Sequence, residues 1–170
     1  MKPVFNQVAV IGAGAMGRGI AQIAAQAGSH VWLYDTQAEA TLKAKDAVYQ
    51  MWDSLATKGR LDAETVTRYK GQLHIAATLQ DLKTCEMVVE AIVERLDIKK
   101  SLFAELESIL SESAILVTNT SSLSVTAIAA ALKRPALFAG YHFFNPVPLM
   151  KVVEVIAGLK TNPDVCDRLT

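Results

Sequence analysis

Two residues near the C-terminal end of the chain have the types and spacing for proton transfer. In the segment Tyr141-His142-Phe143-Phe144-Asn145-Pro146-Val147-Pro148-Leu149-Met150-Lys151-Val152-Val153-Glu154, aliphatic runs flank a proline-containing turn. If those runs pair as antiparallel strands about a turn centred near Pro148, residue 142 falls opposite residue 154 and the two side chains share a face. An imidazole beside a carboxylate can take a proton from an alcohol while the carboxylate fixes its tautomer and stabilises the imidazolium. That is the proton chemistry of alcohol oxidation. Neither His30 nor His74 has such a carboxylate nearby in sequence, and both are expected at the surface.

A second chemical signal lies near the N-terminus, where Gly12-Ala13-Gly14-Ala15-Met16-Gly17 has the form G-x-G-x-x-G. It follows a strand pattern and opens a helix pattern. The first glycine permits a tight turn, the second lets the backbone approach a pyrophosphate, and the third lets helix and strand pack closely. A second strand ending at Tyr34 places Asp35 where a carboxylate accepts both adenosine ribose hydroxyls and repels a 2′-phosphate, so NAD is expected rather than NADP. FAD-binding folds share the glycine pattern, and the histidine and glutamate pair is what points to a dehydrogenase. Thr118-Asn119-Thr120-Ser121-Ser122 follows a further strand, at the edge where open α/β sheets bind ligands. Its side chains are candidates for substrate or nicotinamide contacts, while Ser121, Ser122 and Ser124 are equally candidates for a helix N-cap.

These residues need a scaffold, and the hydrophobic pattern supplies one. Strand patterns at 7–11, 30–34, 74–76, 87–90, 114–118, 137–142 and 151–156 alternate with helical spacing, as in Met16, Ile20, Ile23, Ala24 and Ala27 or Ala44, Val48, Met51, Trp52 and Leu55. Strands joined by helices run parallel and are covered on both faces. The expected fold is a Rossmann-type, doubly wound α/β sheet, mostly parallel, with an antiparallel hairpin closing its C-terminal edge. A second helical stretch at 62–72 predicts a helical hairpin projecting from the sheet, with Lys58-Gly59-Arg60 at its turn. Asn162-Pro163-Asp164 predicts the start of one more helix.

Composition narrows the class. Of the 170 residues, 51% are hydrophobic and 20% charged, with seventeen acidic side chains balancing seventeen basic ones. That balance argues against a disordered chain and gives no electrostatic case for nucleic acid or an anionic membrane surface. The most apolar stretch, at 136–158, contains His142, Lys151 and Glu154 among its polar residues, so no membrane-spanning helix is expected. Cys85 and Cys166, the only two cysteines, are too few for a disulfide framework or a zinc site, so no metal is expected and a reducing compartment is. With no signal-peptide pattern at the N-terminus, the expected location is cytoplasmic.

Together these blocks resemble the NAD-binding domain of the L-3-hydroxyacyl-CoA dehydrogenases, including the 3-hydroxybutyryl-CoA members. The matching stretches are Gly12 to Ala21 (GAGAMGRGIA), Leu33 to Asp35 (LYD), Val89 to Glu94 (VEAIVE), Asn119 to Leu123 (NTSSL) and His142 to Ile156 (HFFNPVPLMKVVEVI). The resemblance implies that His142 is the catalytic base or acid, Glu154 its orienting partner, and Ser121 a hydroxyl near the substrate's 3-oxygen. It places Glu94 and Lys99 along the NAD site and Asn145 near the nicotinamide. From spacing alone, Glu94 and Lys99 read as solvated residues at a helix start. By the same analogy the helical hairpin helps to bind the CoA moiety, with Lys58 a candidate for its phosphates and Ser54 a weaker one. A wet basic turn accounts for Lys58 equally well.

The family's active site is completed by an asparagine and a mostly helical domain downstream, which also carries the usual homodimer contact. Residues 1–170 are therefore expected to form a single NAD-binding domain, a fragment that binds NAD with little turnover of its own. The implied reaction interconverts (3S)-3-hydroxyacyl-CoA and 3-oxoacyl-CoA, a step of fatty-acid metabolism. Two alternatives stay open. One is a sugar-acid or β-hydroxyacid dehydrogenase, several of which use a lysine base instead of the histidine pair. The other is a non-catalytic NAD-binding or structural relative.

Overall fold

Val8 and Val10 point to one side of their strand and Ala9 and Ile11 to the other, and all four are buried. A strand buried on both sides needs helices on both sides. The computed structural model, which describes residues 3–170, supplies them. Its strands are β1 (Gln7–Ile11), β2 (His30–Tyr34), β3 (Leu73–Ile75), β4 (Met87–Glu90), β5 (Ile115–Thr118), β6 (Phe138–Phe143) and β7 (Val153–Ala157). Its α-helices are α1 (Ala15–Gln26), α2 (Ala38–Thr57), α3 (Ala63–Gln72), α4 (Leu96–Ile109), α5 (Val125–Ala129) and α6 (Pro163–Leu169).

The seven strands form one sheet in the order β3-β2-β1-β4-β5-β6-β7. All neighbours run parallel except β6 and β7, which are antiparallel. One core packs Ile20 and Ala21 of α1, Val48 and Trp52 of α2, and Val66 of α3 against Val8 and Val10. The other packs Phe103 and Leu106 of α4 and Ile128 of α5 against Ala9, Ile11 and Val88. The chain leaves β1 toward one side and β4 toward the other, so a crevice opens at the carboxyl ends of these adjacent strands.

The helical hairpin forms as expected, with the Asp62 side chain accepting the Thr65 N–H at 2.6 Å to start α3. Its body is anchored rather than free: Trp52 is fully buried, and its ring lies between those of Tyr49 and Tyr69. The tip around Lys58 and Arg60 is exposed. Asn162 starts α6 by accepting the Asp164 N–H.

Strand bounds shift by one or two residues from the expectation, and one histidine is less exposed. β3 begins at Leu73, straight from the end of α3, instead of at His74. β7 begins at Val153 instead of Lys151, because residues 144–152 form a longer connection in which the N–H groups of Leu149 and Met150 both donate to the carbonyl of Pro146. His30 is exposed, but His74 is half-buried. Parallel pairing sets His74 opposite Trp32, so the two rings meet at 4.9 Å and His74 Nε2 comes within 3.4 Å of His30 Nδ1.

Candidate active site

The glycine loop follows β1 directly. Gly12 has φ +103°, and a Cβ there would lie 2.4 Å from the carbonyl oxygen of Ala91; a Cβ on Gly17 would lie 1.8 Å from the carbonyl oxygen of Gly12. These two glycines close the turn. Gly14 differs, because a Cβ on it would meet nothing within 4 Å. It is the N-cap of α1 and offers no side chain to the helix end. The first N–H groups of α1, over Ala15, Met16 and Gly17, have no side-chain cap and stand at the positive end of the helix dipole, which suits a pyrophosphate.

Asp35 stands beside the loop at the end of β2. One carboxylate oxygen accepts the Ala13 N–H at 2.8 Å and the other accepts the Gln37 N–H at 2.9 Å. It therefore faces the loop and does not cap α2, whose N-cap is Gln37. Two open clefts flank the loop. One, about 390 Å³, is lined by Tyr34, Asp35, Ile92, Ile98 and Leu102. The other, also about 390 Å³, is lined by residues including Met16, Glu94, Asn119, Ser121, His142 and Asn145. A carboxylate in one cleft, an uncapped helix N-terminus between, and a histidine in the other fit an extended dinucleotide.

In the second cleft, His142 on β6 is the register partner of Glu154 on β7. His142 Nδ1 is 2.9 Å from Glu154 Oε2. A carboxylate can only accept, so Nδ1 carries the hydrogen and Nε2 is the ring nitrogen left for a ligand. Ser121 lines the cleft, while Ser124 caps α5 by accepting the Ala127 N–H at 3.2 Å. The helix cap thus falls to Ser124, and Ser121 is left in the cleft. Asn119 Oδ1 accepts the Phe143 N–H at 2.8 Å, tying the loop after β5 to the strand that carries His142.

Glu94 and Lys99 also line this cleft, but Lys99 is not solvated: its side chain is 1% exposed. Its Nζ lies 2.5 Å from Glu90 Oε1 and 3.3 Å from Glu94 Oε2. Glu90, absent from the sequence-based candidates, is fully buried at the end of β4 and also accepts from the Ile92 N–H and the Thr118 hydroxyl, each at 2.7 Å. A glutamate ending an otherwise apolar parallel strand was the available signal. Burial tends to raise the Glu94 carboxyl, but the Thr120 hydroxyl, Lys99 and Ser122 outweigh it and hold the group below the usual glutamate range. Lys58 and Ser54 are exposed on the helical hairpin and line neither cleft.

A doubly wound sheet with a dinucleotide loop and a histidine–carboxylate pair at one end of its crevice marks a dinucleotide-binding domain. Residues 7–170 match the family model described as 3-hydroxyacyl-CoA dehydrogenase, NAD binding domain. The chain belongs to that family, and its cofactor is NAD. Among its relatives is a 3-hydroxyadipyl-CoA dehydrogenase of Escherichia coli, 48% identical over 162 residues that make up 95% of this chain and 34% of the relative. A probable 3-hydroxybutyryl-CoA dehydrogenase of Deinococcus radiodurans is 47% identical over 95% of this chain and 58% of its own length. The crystal structure of a 3-hydroxybutyryl-CoA dehydrogenase from Escherichia coli superposes with a TM-score of 0.95 at 47% identity, covering 97% of this chain and 35% of that one. The chain thus spans between about a third and three fifths of the length of these relatives.

Proposed function

We propose that this chain is the cofactor-binding part of an enzyme that interconverts (3S)-3-hydroxyacyl-CoA and 3-oxoacyl-CoA. The observation that carries the reading is the 2.9 Å contact between His142 Nδ1 and Glu154 Oε2 in the cleft that Ser121 and Asn145 also line. NAD, when bound, supplies the hydride acceptor in oxidation and the donor in reduction. The protein supplies position and proton transfer. His142 Nε2 takes the proton of the C3 hydroxyl in oxidation and returns it in reduction, while Glu154 holds the ring and stabilises its protonated form. Ser121 hydrogen-bonds the 3-oxygen, and Asn145 and Glu94 bound the nicotinamide end. The N–H groups of Ala15, Met16 and Gly17 receive the pyrophosphate and Asp35, held by the Ala13 N–H, the adenosine ribose.

In this reading a further helical domain completes the acyl-CoA site and makes a homodimer contact, and Lys58 reaches the CoA phosphates from the hairpin tip. The setting is the reducing cytoplasm, in keeping with two free cysteines. No helix among the described residues is long and apolar enough to cross a membrane.

Calorimetric titration of the 170-residue chain with NADH and NADPH tests the cofactor site, and NADH is expected to bind far more tightly. Acetoacetyl-CoA-dependent oxidation of NADH, assayed with the helical domain also present, tests the substrate. NADH binding without turnover of any 3-oxoacyl-CoA returns the substrate to another hydroxyacid or leaves a non-catalytic protein.

A further inference from the structure

The charge beneath the catalytic cleft does not balance. Lys99 contributes one ammonium, and Glu90 and Glu94 contribute two carboxylates, all within hydrogen-bonding or ion-pair distance of it. The other partners of these carboxylates are neutral: the Ile92 N–H, Thr118, Thr120 and Ser122. The neighbouring ions Arg95 and Asp97 are exposed and pair with each other at 2.6 Å. Across the cleft, Glu154 is a further carboxylate, hydrogen-bonded by the neutral His142, but its side chain is 56% exposed and does not line the cleft. A buried lysine needs only one carboxylate, and Glu90, itself fully buried, already provides it. Glu94 is the surplus, and its side chain is 39% exposed, on the side that lines the cleft.

Oxidised and reduced nicotinamide dinucleotides differ by one hydride, whose addition removes the positive charge on the ring. A fixed negative charge near that ring, in a partly desolvated cleft, discriminates between them electrostatically. We propose that Glu90, Lys99 and Glu94 form an anionic cluster that biases the cleft toward the oxidised cofactor, with Glu90 as the positioning residue that holds Lys99 below Glu94. The inference rests on the reading of this cleft as the nicotinamide site. It makes the relative affinity for the two redox forms depend on the cluster's summed charge rather than on any one contact.

The test is the ratio of the NAD⁺ to the NADH dissociation constant, measured by calorimetry on the 170-residue chain at fixed ionic strength. Glu94→Gln and Glu90→Gln each bring the cluster to zero charge, and each should raise that ratio about three- to tenfold. The double variant Glu90→Gln, Lys99→Met restores a single negative charge and should return the ratio to within about twofold of the unmodified chain. A purely structural role would weaken both nucleotides together and leave the ratio alone. Should Glu90→Gln fail to fold, Glu94→Gln decides the question, because that side chain is partly exposed. An unchanged ratio in folded Glu94→Gln, or a double variant that follows the single ones, overturns the proposal. An unmodified chain that binds neither nucleotide overturns instead the reading of the cleft.

Discussion

Glu90 and Lys99 meet across the turn between β4 and α4 with 2.5 Å between Oε1 and Nζ, and neither side chain reaches solvent. The pair joins the end of a central strand to the first turn of the helix that follows, where the walls of both cofactor clefts come together. Removing one partner strands a charge in the interior. Lys99→Met should therefore cost about 3–5 kcal/mol in urea denaturation, and Lys99→Met combined with Glu90→Gln should cost less than Lys99→Met alone. A double variant no more stable than Lys99→Met would mean that the pair is not coupled.

The glycine loop separates folding from binding within six residues. Gly17→Ala forces a Cβ to 1.8 Å from the Gly12 carbonyl, and the expected loss is about 3 kcal/mol or more. Gly14→Ala meets no protein atom, so its stability should fall by about 1 kcal/mol or less. The same methyl stands where a pyrophosphate would approach, and NADH affinity should drop at least about tenfold. Thermal denaturation and calorimetry of the two variants check both halves.

If His142 moves the proton, His142→Ala should lower turnover by about two to four orders of magnitude while NADH affinity stays nearly constant. Glu154→Gln keeps the shape but removes the charge that steadies the imidazolium, so it should also lower turnover, by less. Steady-state kinetics paired with NADH titration separates these effects from a general loss of structure. Turnover that survives His142→Ala removes the histidine from the mechanism.

The Glu94 carboxyl sits below its ordinary value of 4.5, which fixes the sign of its pH dependence. Its contribution to stability is fully present above the unfolded value and is lost as the pH falls through the lower, folded one. Between pH 6 and pH 3, Glu94→Gln should therefore lose less stability than the unmodified chain. Parallel denaturation curves would mean that its bonds to Thr120, Lys99 and Ser122 do not favour the charged form.

Two thiols with different surroundings should react differently. Burial, aided by Glu86, pushes Cys85 up to about 12, whereas Cys166 on α6 is only half-buried. Iodoacetamide at pH 8 should label Cys166 first, and intact-mass measurement should show a single adduct until the chain is unfolded. Equal labelling of both thiols would show that the segment leading into β4 opens readily.

Much of the site was legible because it is written in local patterns. The glycine spacing carries its own steric reasons, and Asp35 follows from the end of the next strand. The meeting of His142 with Glu154 needs only antiparallel pairing about residue 148. Strand ends were less legible, since where β7 begins depends on how residues 144–152 fold back, and two further residues do not announce it. The hairpin was visible as two helices, but the burial of Trp52 that anchors it was not, because that depends on what packs above the sheet.

Sequence by itself determined the doubly wound sheet, the dinucleotide loop and the histidine–carboxylate pair, all of which follow from periodicity, backbone freedom and register. Only the tertiary structure decided the fate of the charged residues. A lysine one turn into a helix and a glutamate at a strand end carry no mark of whether water or protein surrounds them, and Lys99 and Glu90 are buried together because β4, β5 and α4 converge there. Long-range packing likewise left Ser121 in the cleft and tied Asn119 to Phe143. Those contacts join segments far apart in the chain, and no local preference encodes them.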